Sequence, residues 1–92
     1  MLKLIYTNQF RKDYRKMAKR GCQMSKLNDV LNKLKNEEQL DEKYQDHALK
    51  GNRKNYRECH IAPDWLLVYK INKGDLILTA LQTGSHSDLF GK

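Results

Sequence analysis

The stretch YRECHIAPDWLLVYKINKGDLILTAL, residues 56–81, decides the fold. Its first six residues alternate: Tyr56, Glu58 and His60 fall on one face, Arg57, Cys59 and Ile61 on the other, the period-2 mark of a β-strand. Pro63 breaks the run, because a proline cannot donate to a strand ladder. Residues 65–71 (WLLVYKI) are almost continuously apolar, which suits a central strand covered on both faces. Asn72-Lys73-Gly74 signals a hairpin turn, and residues 75–81 return as the last strand.

Working outward toward the N-terminus, residues 2–6 are short, largely apolar and closed by Thr7 and Asn8, which reads as a first strand. Either Thr7 or Asn8 is placed to cap a helix by offering a side-chain oxygen to free backbone N–H groups. Phe10, Tyr14, Met17 and Ala18 follow at helical spacing, with Arg11, Lys12, Arg15, Lys16, Lys19 and Arg20 between them. Gly21 is suited to close that helix in a left-handed conformation. Ser25 is a candidate cap for a second helix with the stripe Leu27, Val30, Leu31 and Leu34, and the short connection predicts a helical hairpin. Residues 40–55 are polar and read as a long loop of the kind that usually carries function. Residues 83–85 read as a loop, and residues 86–90 end the chain. The order strand, two helices, three strands predicts an α+β domain with the helices on one sheet face and the other face left for a partner or substrate.

The chain's 92 residues, 39% hydrophobic and 32% charged, suit one domain with a modest core. No apolar run approaches the roughly 20 residues that span a bilayer, and no secretion signal is evident, so the expected location is cytoplasmic, with no membrane partner. The two cysteines, Cys22 and Cys59, stand far apart without metal-ligand spacing and read as reduced thiols. Eighteen Lys and Arg against eleven Asp and Glu give a net charge of +7, which attracts a polyanion or an acidic partner.

All three histidines, His47, His60 and His86, lie in the second half of the chain. The topology brings them, with Asp64, toward one edge of the exposed sheet face. Lys50, Arg53, Lys54 and Arg57 surround them in sequence. Imidazoles, a carboxylate and cations suit RNA cleavage without a metal: a base takes the 2′-hydroxyl proton, an acid protonates the leaving 5′-oxygen and cations stabilise the charged transition state. None of the histidines has the short paired spacing of common zinc motifs, so no metal or other cofactor is expected. Trp65 reads either as core or as a platform on which a base stacks, and Phe90 and Tyr56 offer further stacking rings.

The strings DHALKG (residues 46–51), YRECH (56–60), PDWLLVYK (63–70) and TGSHSDLF (83–90) together resemble the YafQ branch of the RelE/ParE toxin superfamily, and the likeness covers nearly the whole chain. It implies a RelE-like fold, an N-terminal strand and helical hairpin packed on a mostly antiparallel sheet. It implies a toxin of a type II toxin–antitoxin module that cuts messenger RNA in the ribosomal A site. It also implies a ribbon-helix-helix antitoxin, a heterotetramer or larger complex, contact with ribosomal RNA, and operator DNA bound only through the antitoxin. On this resemblance the functional positions are His47, His60, Asp64, Trp65, His86 and Phe90, with His86 as acid and Asp64 or His60 as base. Two departures stand out. Glu58 takes a place where relatives can carry Asp, and Gln82 one where they often have Arg, whose bidentate phosphate contact an amide cannot make. The alternative readings are a ParE-like toxin that binds DNA gyrase and an RNA-binding module without activity.

Overall fold

A computed structural model describes residues 1–49 and 55–91. In chain order it has strand β1 (Lys3–Tyr6), helices α1 (Asn8–Lys19) and α2 (Met24–Lys35), a 3₁₀ turn (Glu42–Tyr44), strands β2 (His47–Ala48), β3 (Tyr56–Ala62), β4 (Trp65–Asn72) and β5 (Ile77–Gly84), and helix α3 (His86–Phe90). The sheet order is β1-β5-β4-β3-β2. β1 runs parallel to β5 and every other pair is antiparallel, so the α+β architecture expected from the strand and helix order is present. Among the described residues no helix is long and apolar enough to cross a membrane.

Alternation assigns the two faces. Phe10, Met17, Leu27, Val30, Leu31 and Leu34 of the helices pack with Cys59 and Ile61 of β3, Trp65, Leu67 and Tyr69 of β4, and Leu78 and Ala80 of β5. β4 lies at the centre, and Leu66 and Val68, on its opposite face, are buried as completely as Leu67 and Tyr69. Burial pushes the Cys59 thiol up to about 12, which leaves it protonated and poorly nucleophilic. Cys22 and Cys59 are both free thiols.

The structure amends the sequence reading in four places. Ser25 is not a cap: α2 begins at Met24 behind Gln23, which makes no side-chain capping bond, because the partly buried Met24 already packs on the core. Residues 40–55 are not simply a loop, since they contain the 3₁₀ turn and β2, which pairs with β3. The hairpin after β4 is longer than its Asn-Lys-Gly signal. The Asn72 side chain accepts the Asp75 N–H, Leu76 takes the left-handed conformation (φ 57°), and β5 starts only at Ile77. Finally, Thr83 and Gly84 belong to β5, and residues 86–90 form a helix.

One irregularity carries the rest of the site. Val68 pairs with Gln82 but Tyr69 pairs with Ala80, so Leu81 is an extra residue, a β-bulge. The bulge shifts the alternation by one. Thr83 therefore faces the helices, where its Oγ1 accepts the Trp65 indole N–H (2.9 Å) and donates to the Leu66 carbonyl (2.7 Å), and Gln82 and Gly84 turn to the other face. The Leu81 carbonyl accepts a hydrogen bond from the Thr7 hydroxyl (2.8 Å), which also accepts the Phe10 N–H (3.0 Å) as the cap of α1. Thr7→Val removes both bonds at constant shape. It is expected to lower unfolding free energy by about 1–3 kcal/mol, measured by urea denaturation.

Candidate active site

The turn between β3 and β4 puts Asp64 directly after Pro63, at the end of the sheet where α3 begins. The carboxylate Oδ1 accepts the backbone N–H of His86 (3.0 Å) and lies 2.6 Å from its ring Nδ1. A carboxylate only accepts, so Nδ1 carries the proton and Nε2 is left for other partners. The same contacts hold the Asp64 carboxyl below the usual carboxylate range, the His86 N–H first and the imidazole second. The His60 ring stands edge-on to His86 with centroids 5.7 Å apart, and the ring of Phe90, one turn along α3, lies 6.5 Å from that of His86. His60, Asp64, His86 and Phe90 therefore form one cluster. Trp65 adjoins it in sequence but turns inward, 5% exposed, so it supports the cluster from the core and offers no stacking face.

His47 belongs to a neighbouring group. Register aligns His47, Glu58, Val68 and Gln82 in one row across β2, β3, β4 and β5, and His60, Leu66 and Gly84 in the next. Residues directly opposite in antiparallel strands share a face, so both rows lie on the side away from α1 and α2. His47 Nε2 is 3.5 Å from Glu58 Oε1, and its Nδ1 donates to the Gln45 carbonyl (2.7 Å). Glu58 is itself buried, and its Oε2 has no hydrogen-bond partner among the described residues. An orphaned carboxylate oxygen in such a position is costly unless something completes it.

Arg57 is not with the imidazoles. It lies on the helix side, its Nε and Nη2 bonded to Asp46 (3.3 and 3.2 Å), and Asp46 also accepts from the Tyr69 hydroxyl. These three side chains line a cleft of about 640 Å³ whose other walls include Glu37, Glu38, Asp41 and Glu42, a surface that repels phosphate. Lys50, Arg53 and Lys54 lie outside the described residues. Tyr56 shares the imidazole face, with the Lys70 ammonium 5.8 Å from its ring.

Sequence reasoning overlooked a second cleft, of about 580 Å³, where β2 stops and the edge of β3 is uncovered. His60 forms one wall. Lys26 of α2 and Lys43 and Tyr44 of the 3₁₀ turn form another. Tyr44 carries the ammonium groups of Lys33 and Lys43 at 5.5 and 5.1 Å from its ring. This cleft thus offers two cations and an aromatic ring beside an imidazole, with Asp29 as its one carboxylate among the described residues. The only sequence signal for it was the Lys43-Tyr44 pair inside a segment read as loop. Among the described residues, no group of three or more His, Cys, Asp or Glu side chains is arranged to hold a metal ion.

The pattern of a bacterial toxin of type II toxin-antitoxin systems, YafQ, matches residues 2–91. The chain is 40% identical over 87 residues to the mRNA interferase toxin YafQ of Escherichia coli K12, covering 94% of this chain and 92% of that one. It is 43% identical over 72 residues to a putative toxin YafQ of Haemophilus influenzae, covering 75% and 71%. Among solved structures, a copper-bound mutant toxin from Helicobacter pylori superposes with a TM-score of 0.92 at 49% identity, covering 98% of this chain and all of that one. The E. coli DinJ–YafQ complex superposes with a TM-score of 0.90 at 38% identity, covering 99% and 100%.

The Asp64–His86 contact has a measurable signature. In His86→Ala the backbone N–H contact persists but the ring contact is lost, so the Asp64 carboxyl pKa is expected to rise part of the way toward its ordinary value. Carbon-detected NMR titration of the carboxyl groups checks this, and an unmoved Asp64 would show that the ring contact is not made in solution.

Proposed function

The chain belongs to the YafQ family of bacterial toxins of type II toxin–antitoxin systems, and we propose that it is a metal-independent endoribonuclease that cuts messenger RNA in the ribosomal A site. The observation that carries this reading is the His60–Asp64–His86 cluster: two imidazoles 5.7 Å apart, only one of them held by an aspartate. Asp64 gives a protonated His86 its counter-ion and orients Nε2 outward, so His86 is the general acid. His60 has no such partner in the cluster and is the general base.

The reaction runs as a transesterification. His60 takes the 2′-hydroxyl proton, the 2′-oxygen attacks the adjacent phosphorus, and the bond from phosphorus to the 5′-oxygen breaks as His86 protonates that oxygen. The products are a 2′,3′-cyclic phosphate and a new 5′-hydroxyl end. Each proton transfer is worth about 10²- to 10⁴-fold. His47, held by Glu58, stands one row away and assists by stabilising charge on the phosphate. Gln82 supplies no charge, so Lys26 and Lys43 in the cleft beside His60 take the part of the arginine of relatives, and Lys50, Arg53 and Lys54, close to His47 in sequence, are further cations for the phosphate. Phe90 and Tyr56 contact unstacked bases.

The E. coli relative crystallises with DinJ, and we extend that arrangement to this chain: a ribbon-helix-helix antitoxin neutralises it in the cytoplasm, and their complex represses its own operon. An acidic antitoxin segment would compete with RNA for the positive field. His86→Ala is expected to lose cleavage of translated mRNA by about 10²-fold or more and to keep antitoxin binding. Primer extension on induced cells, with affinity capture of the antitoxin, reads both. Wild-type cleavage by the variant would refute the assignment, and gyrase-dependent DNA damage with intact mRNA would favour the gyrase-binding alternative.

A further inference from the structure

Helix α3, which carries His86, is too small and too exposed to hold itself in place. It has five residues, none of them buried, and a helix of that length does not persist alone in water. What fastens it is Asp88. Its two oxygens face the Arg20 guanidinium in a two-pronged contact (2.6 and 3.0 Å), and Oδ1 also meets the Lys16 ammonium at 3.2 Å. The same carboxylate accepts the Ser85 N–H (2.9 Å), while Ser85 Oγ accepts the Asp88 N–H (3.1 Å), a reciprocal cap at the start of α3. The Asp88 side chain is 17% exposed and that of Arg20 42%, so the carboxylate is the better shielded partner. Gly84, at the end of β5, is pressed against it: a Cβ there would lie 2.9 Å from that of Asp88.

We propose that Arg20 and Lys16, at the end of α1, act through Asp88 as positioning residues for His86. The carboxylate that binds Arg20 also fixes the N–H of Ser85, the residue immediately before His86. His86 is then located from two sides, by the tether to α1 and by Asp64 in the β3–β4 turn. Loss of the tether removes one of these two restraints from an exposed five-residue helix, and the imidazole drifts from His60. Misplacement on the scale of 1 Å costs about 10²-fold in well-oriented reactions, so partial loosening should cost roughly 10-fold. The inference rests on the reading of His86 as the general acid, and its test separates the two.

The experiment uses the full-length toxin with Arg20→Ala, Arg20→Lys and Asp88→Asn. The last keeps the cap's shape and removes its charge, which guards against a variant that fails to fold. Circular dichroism verifies folding. The first measurement is independent of activity: ring-proton NMR of the His60–His86 contact. Arg20→Ala and Asp88→Asn should weaken that contact, and Arg20→Lys should restore it in part, because an ammonium cannot make the two-pronged contact. The second is cleavage of ribosome-bound mRNA, where kcat should fall about 10-fold in Arg20→Ala with KM changed less than two-fold. An unmoved His60–His86 contact in both Arg20→Ala and Asp88→Asn overturns the tether. So does a change confined to KM, which would mean that Arg20 contacts RNA directly. If the contact moves but His86→Ala still cleaves, the tether stands and the assignment of the acid falls.

Discussion

The protein is organised around a strand that has no exposed side in its middle. Leu66, Leu67, Val68 and Tyr69 of β4 are all buried, so the strand must be paired on both edges and covered on both faces. Helices α1 and α2 cover one face with a largely aliphatic layer. On the other, Leu66 and Val68 form an apolar floor, and the rows that cross it end in His47 and His60 on one side and Gln82 and Gly84 on the other. An apolar floor under charged and titratable groups lowers the local dielectric and strengthens every interaction a phosphate would make there.

The bulge at Leu81 links the two faces. It lets β5 give Thr83 to the core and Gln82 and Gly84 to the imidazole face, and it leaves a carbonyl that Thr7 occupies from the start of α1. Thr83 in turn holds the Trp65 indole, which sits beside Asp64 in the chain. Packing on the helix side and geometry on the chemical side thus share residues. Asp13 of α1 adds to the same connection by accepting the Thr83 N–H.

Much of this was legible before any coordinates. The apolar run at 65–71, the alternation at 56–61, the helical stripe from Phe10 to Ala18 and a cap at Thr7 or Asn8 are local patterns, and local patterns survive folding. The gathering of His60, Asp64 and His86 was expected from the strand order, whereas His47, expected with them, stands one row away beside Glu58. What stayed hidden depends on contacts distant in sequence. Arg57 and Asp46 pair because β2 returns to the sheet, which a polar stretch does not announce. Arg20 meets Asp88 across 68 positions, and in the sequence it was one more cation on a basic helix. The bulge inserts a single residue and reverses which side chains face the core, and an unbroken run such as ILTALQT carries no mark of it.

The pairing of β1 with β5 has a consequence for the order in which the molecule comes into being. Thr7 meets Leu81 across 74 positions, and among the described residues β1 is hydrogen-bonded to no strand but β5. A fold with such non-local pairing closes late, because loop entropy is spent before the contacts repay it. During synthesis the first strand has no strand partner until residues 77–84 have left the ribosome, and His86 emerges after them. The cluster of His60, Asp64 and His86 therefore comes together only once β5 has been made, and a chain halted before that strand holds neither a paired first strand nor neighbouring imidazoles.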